Sequence, residues 1–213
     1  MDTLNRFFIC LLWVMFVMPQ AMAQQTDAKK IMEEVEAGFR KAGGLRIGFS
    51  MQASSGQSSG TIELKDEKFV LYVGGVTTWF DGHTQWSYLV SAGEVNISEP
   101  TPEEMQTLNP YAWLSLYRNG YRAQLLQPVR AGDASRYYGV QLTAPAAGDS
   151  MEALSITLYI QKNTYRPARI VLQQGGEDVE IVVENYEDGL SWSDSHFVFD
   201  ASKYPDAEVI DLR

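Results

Sequence analysis

Residues 77–88 read TTWFDGHTQWSY, with two tryptophans, a phenylalanine and a tyrosine gathered around one Asp-Gly pair. β-Branched and aromatic residues on both sides of a turn dipeptide describe a β-hairpin. Asp81-Gly82 is the pair that a two-residue type I′ turn favours. In that register Phe80 faces His83, and Thr77 and Trp79 share a sheet face with Thr84, Trp86, Tyr88 and Val90. The segment predicts an antiparallel sheet with one strongly aromatic side. A catalytic loop needs histidine, cysteine or paired carboxylates in fixed geometry, whereas an apolar ligand needs this kind of surface.

The two-residue period recurs on both sides of the hairpin. Leu45, Ile47, Phe49 and Met51 alternate with Arg46, Gly48 and Ser50, and after the turn-rich stretch 54–60 come Ile62 and Leu64, then Phe69, Leu71 and Val73. Val95 and Ile97 follow the hairpin. Tyr121–Leu126, Tyr138–Leu142, Leu154–Ile160, Ile170–Leu172, Val179–Val183 and Phe197–Phe199 read as later strands, several of them separated by turns at Asn163, Gly175-Gly176 and Asp188-Gly189. The fold class is mainly β with α, about eleven strands in an antiparallel sheet.

Helical signals interrupt this pattern twice. From Asp27 to Ala42, Ala28, Ile31, Met32, Val35 and Phe39 fall on one face, with Thr26 or Asp27 as cap and Gly43-Gly44 as terminator. Mid-chain, Thr101-Pro102-Glu103-Glu104 is a capping box with proline at the first helical position, followed by Met105 and Leu108 on the apolar side. Asn109-Pro110 breaks that helix, and a second runs from Tyr111 to Tyr117, carrying Trp113 and Leu114, before Asn119-Gly120 closes it. So many large apolar side chains in two short helices must cover something apolar, or be covered by it.

The first 23 residues have the form of a secretory leader. Arg6 precedes an apolar run from Phe7 to Met18, Pro19 breaks it, and Ala21-Met22-Ala23 is a small-x-small cleavage site. The expected organisation is a cleaved leader, 1–23, and one domain, 24–213. The one cysteine, Cys10, leaves with the leader, so the mature domain relies on burial without disulfides. The whole chain carries 27 acidic and 17 basic residues, a net charge of −10, which argues against nucleic acid as a partner and against simple adsorption to anionic lipid.

No catalytic constellation is written here. The two histidines, His83 and His196, sit beside a turn and before the last strand, with no ligand spacing around them. Gly-x-Ser-x-Gly, His-Glu-x-x-His and phosphate-loop motifs are missing, and Glu103-Glu104, Glu177-Asp178 and Glu187-Asp188 lie at a helix start or in turns. The expectation is a binding protein, not an enzyme, with no cofactor and no metal. A broad sheet with one apolar face and only three modest helices to cover it leaves room for a pocket, and a curled sheet without full closure is one way to form it.

The order of helix, strands, helical insertion and strands resembles that of LolA, the family of periplasmic carriers of outer-membrane lipoproteins. Asp81-Gly82-His83-Thr84-Gln85-Trp86-Ser87-Tyr88 matches that family's Asp-Gly-x-Thr-x-Trp-x-Tyr hairpin. The stretch Phe197-Val198-Phe199, with Pro205, Val209 and Asp211 beyond it, is similar to the family's C-terminal part. The resemblance implies an incomplete β-barrel covered by an N-terminal helix and a mid-chain helical lid. It implies a monomeric periplasmic protein that takes acylated lipoproteins from an ATP-driven inner-membrane exporter and delivers them to an outer-membrane acceptor. On this view Phe49, Phe69, Leu71, Trp79, Trp86 and Tyr88 form the cavity wall, and Met105, Leu108, Trp113, Leu114 and Tyr117 belong to the lid. The family's lid-latching arginine near the third strand is replaced by Lys65-Asp66-Glu67-Lys68, where Lys65 or Lys68 offers a point charge without the planar fork. Two other classes compete: a sensor of the same fold that binds lipid or lipoprotein, and a secreted structural β-domain with a fully packed core.

Overall fold

The computed structural model describes residues 18–101, 104–105, 113, 116–126, 135–145 and 154–213, with residues 18–26 described through their backbone alone. Helix α1 spans Met18–Ala42 and ends at Gly43, whose φ of 71° only a glycine adopts cheaply. It begins nine residues ahead of the expected start, so Thr26 and Asp27 lie inside it and not at its N-terminus. Ala, Gln and Met are good helix formers, and in the uncut chain they carry the helix back into the expected leader. Ala28, Ile31, Met32, Val35 and Phe39 are buried as their spacing requires.

Among the described residues twelve strands follow: β1 Gly44–Ala53, β2 Gly56–Lys65, β3 Lys68–Val73, β4 Val76–Phe80, β5 Gln85–Leu89, β6 Glu94–Ser98, β7 Arg122–Leu125, β8 Tyr137–Thr143, β9 Ser155–Gln161, β10 Pro167–Gln174, β11 Glu177–Glu187 and β12 Glu208–Asp211. They form one sheet in the order β12-β6-β5-β4-β3-β2-β1-β11-β10-β9-β8-β7. All pairs are antiparallel except β12 on β6, and the end strands β12 and β7 do not pair with each other. The sheet is therefore curled but unclosed, an incomplete barrel. A bulge at Gly48/Phe49 in the β1–β11 pair bends it near its middle.

Two details differ from the sequence reading. The β4–β5 hairpin pairs Phe80 with Gln85, not His83, because Asp81 to Thr84 form a four-residue loop. Asp81 Oδ1 accepts from the amides of His83 and Thr84 at 2.9 and 2.8 Å, so the aspartate side chain organises a wider turn than Asp-Gly alone demands. A slip of two residues keeps every side chain on its face while changing its partner, so Trp79 comes opposite Trp86 and Thr77 opposite Tyr88. The second difference is at the C-terminus, where Asp194–Phe197 is a 3₁₀ turn and the last strand lies at Glu208–Asp211.

Both faces of the sheet carry apolar layers. The inner layer holds Leu45, Ile47, Ile62, Leu64, Phe69 and Phe80 from the first half of the sheet, Val140, Leu142, Ile156, Leu158 and Ile160 from the second, and the buried side of α1. The outer layer is smaller: Val70, Trp79 and Phe197 at its centre, ringed by Trp86, Tyr88, Trp192, Phe199 and Tyr204. Neighbouring residues Phe69 and Val70 belong to opposite layers, as strand alternation requires.

Candidate functional site

The inner face is not fully packed. Strand β1 turns Ile47, Phe49 and Met51 inward, β2 and β3 add Ile62, Leu71 and Val73, and β10 and β11 add Ile170, Leu172, Ile181 and Val183 around a cavity of about 190 Å³. Phe39 of α1, Trp113 of the mid-chain segment and Tyr186 close its sides. Space for the Phe49 ring comes from Gly60 opposite: a Cβ there would lie 2.6 Å from the ring and 2.5 Å from the Tyr72 carbonyl oxygen. The phenol of Tyr186 is the most polar group in the lining. Its ring meets Phe39 edge-on at 6.4 Å, and the Arg166 guanidinium lies 4.3 Å from its centre. Burial pushes that phenol up to about 12.

Such a lining offers no nucleophile and no acid–base pair. It offers dry surface, and 190 Å³ lies between the roughly 150 Å³ that admits a benzene-sized molecule and the roughly 300 Å³ at which pockets for larger ligands begin.

The mid-chain segment is tied to α1 by a buried carboxylate. Glu36 is 6% exposed and accepts from Arg118 at 3.0 and 2.5 Å, from Arg40 at 2.8 Å and from the Tyr117 hydroxyl at 3.2 Å. Burial, then the neighbouring Glu36 charge, pushes the Tyr117 phenol upward. The capping box forms as its sequence predicts: Thr101 N–H donates to Glu104 at 2.7 Å, and Glu104 N–H donates to Thr101 Oγ1 at 3.3 Å.

The expected site residues fall into four groups. Phe49, Leu71 and Trp113 line the cavity. Phe69, Met105 and Tyr117 lie in the same inner layer without lining it. Trp79, Trp86 and Tyr88 are on the opposite face, under the C-terminal segment, with Trp79 against Phe199 and Tyr204 at 5.5 and 5.7 Å and Tyr88 against Tyr204 at 4.7 Å. Their placement corrects the single aromatic wall: the register sets Val70 beside Trp79 and Phe69 beside Phe80, so the hairpin tryptophans must face away from Phe69. Leu108 and Leu114 lie outside the described residues.

The lysines that stand where an arginine latch was expected hold the C-terminal segment instead. Lys65 and Lys68 each reach an Asp194 carboxylate oxygen at 3.1 Å, and Lys65 also donates to the Trp192 carbonyl at 2.9 Å. Hydrogen bonds from the two lysines hold the Asp194 carboxyl below the usual carboxylate range. His196 stacks on Trp192 at 4.2 Å and meets the buried Glu63 at 2.6 Å, while His83 lies exposed 3.5 Å from Glu99.

Sequence reasoning passed over most of the lining. Ile47, Met51, Ile170, Leu172, Ile181 and Val183 were legible as inward strand positions, and pairing β1 with β11 would have set them beside Phe49. Phe39 and Tyr186 carry no such signal, because their role depends on how α1 crosses the sheet end.

The chain is similar in fold to an uncharacterised conserved protein from Thermus thermophilus, with 16% identity, a TM-score of 0.57, and coverage of 87% of this chain and 99% of that one. Weaker likenesses include a putative outer membrane lipoprotein-sorting protein domain from Vibrio parahaemolyticus (11% identity, TM-score 0.47, 79% and 95% covered). A LolA superfamily protein from Nitrosomonas europaea is another (11% identity, TM-score 0.43, 81% and 97% covered). No curated protein matches the chain by sequence. Among the described residues no helix is long and apolar enough to cross a membrane. Residues 20–176, well over half of the chain, match the family model described as outer membrane lipoprotein carrier protein LolA, and the chain belongs to that family.

Proposed function

We propose that this protein is a periplasmic carrier that shelters the acyl chains of lipoproteins in the cavity of its curled sheet on the way between two membranes. The observation that supports this most is the lining: apolar side chains from six strands, one helix and Trp113 surround free space on the inner face of the sheet. Each methylene moved from water into such a space contributes about 0.8 kcal/mol, so even part of an acyl chain binds usefully. A whole acyl chain needs more than 190 Å³, and on this reading it enters when the mid-chain segment moves away from α1. The Glu36–Arg118 tie is then the contact that opens and re-forms. An inner-membrane exporter would load the cavity and an outer-membrane acceptor would empty it.

The test is mass spectrometry of the organic extract of protein purified from its native envelope without detergent. Acylated peptides recovered in proportion to protein are the expected result. An extract free of acyl chains, from folded protein, overturns the carrier reading and leaves a structural domain.

A further inference from the structure

The inner face changes character across β4 to β6. Register aligns Leu71 of β3 with Thr78, Ser87 and Asn96 of β4, β5 and β6, and aligns Phe69 with Phe80, Gln85 and Ser98. Both rows lie on the cavity side, because the residues between them, Val70, Trp79 and Trp86, belong to the outer layer. Each row begins apolar and ends in hydroxyls and amides. Leu71 lines the cavity, so the polar end of its row lies about two to three strand spacings away, roughly 10–15 Å.

The polar groups are only partly satisfied by one another. Thr78 Oγ1 and Ser87 Oγ are 3.3 Å apart, and Gln85 Nε2 reaches Ser87 Oγ at 3.3 Å. Gln85 Oε1 is buried and has no hydrogen-bond partner among the described residues. A buried amide end left unpaired is costly, and such groups are rare unless something else completes them. Gln85 and Ser98 also line an open cleft bounded by Glu99, Pro100, Glu104 at the start of the lid, and Arg213.

Building on the carrier reading, we propose that this cleft is a subsite for the first peptide units that follow the acylated residue of the cargo, with Gln85 hydrogen-bonding the peptide backbone. A peptide presents both N–H and C=O, so it satisfies the free end of a glutamine amide in either orientation. Charge argues against a phosphate head group here. The cleft carries the Glu99 and Glu104 carboxylates, and Arg213 is neutralised by Asp211 at 2.6 and 2.9 Å. Row order places acyl chain and peptide on one continuous surface, with their junction near β4.

Three probes of equal chain length test this on the purified protein: palmitic acid, an N-palmitoyl tetrapeptide amide and a palmitoyl lysophosphatidylglycerol. The unaltered protein is expected to bind the acyl peptide about tenfold more tightly than palmitic acid, the worth of one to two hydrogen bonds. Gln85→Leu is expected to remove that preference, leave palmitic acid affinity unchanged, and leave thermal stability equal or higher. Ser98→Ala, a smaller change at the cleft, is expected to reduce the preference partially. An acyl-peptide preference that survives in Gln85→Leu, no preference in the unaltered protein, or tighter binding of the phospholipid each overturns the subsite while the acyl cavity stands. Failure of all three probes overturns the carrier reading, and the subsite with it.

Discussion

Tyr186 is the residue at which the cavity touches the titratable chemistry of the surface. Its ring faces the apolar space while Arg166, paired with Asp188, lies over it. Burial raises the phenol to about 12 from an ordinary value near 10. A group whose folded value is raised contributes stability that is complete below the unfolded value and is lost as pH rises toward the folded one. Stability should therefore fall between about pH 10 and 12. Tyr186→Phe, which keeps the ring and removes the proton, should flatten that fall in urea titrations across the window. Tyr72, whose phenol is raised to about 12 by partial burial and the nearby Glu63 carboxylate although its side chain is part-exposed, leaves a residual slope. An unchanged pH profile in Tyr186→Phe contradicts the burial assigned to this ring. The same residue marks where sequence reading stopped: nothing in Asn185-Tyr186-Glu187 separates a cavity wall from an exposed strand tyrosine until α1 brings Phe39 to it.

Among the elements, the hairpin and the lid were legible to different depths. The hairpin's strands and the common face of its aromatics followed from alternation, and a two-residue slip in the turn changed their partners but left that face intact. Which side of the sheet the face would look toward was not legible, because Val70, Trp79, Trp86 and Tyr88 are as apolar as Phe69, Leu71 and Phe80. That choice is made by chain more than a hundred residues away, where Trp192, Phe197, Phe199 and Tyr204 cover the outer side. The start of the proposed lid was written in its capping box, but its fastening was not. Glu36 reads as one of several charges on the polar side of α1, yet it is buried and bound by Arg118 and Tyr117. Hydrogen bonds to a charged group contribute about 1.5–3 kcal/mol when well shielded, and Arg118 is half exposed, so its share is nearer the low end. Arg118→Ala should accelerate hydrogen exchange about tenfold at the amides of Asn119 and Tyr121, both of which donate to the Leu116 carbonyl. Amides of β8 to β10 should be unaffected. Uniform exchange in the variant and the unaltered protein would show that the lid does not depend on this tie.

For the whole molecule, the open sheet makes two layers of unequal completeness. The outer layer is sealed by the C-terminal segment, itself clasped by Lys65 and Lys68 through Asp194, and the inner layer encloses space. The two layers divide the tryptophans: Trp79, Trp86 and Trp192 lie in the outer layer and Trp113 at the cavity. The division lets one titration decide whether acyl chains enter the cavity. Chain-brominated palmitic acid, which quenches only tryptophans it touches, is added to the chain from Gln24 onward, which lacks Trp13. Saturable quenching in the unaltered protein, lost in Trp113→Phe while the acid still binds, is the result this account predicts. Quenching that persists in Trp113→Phe would place the acyl chain against the outer layer and contradict the account.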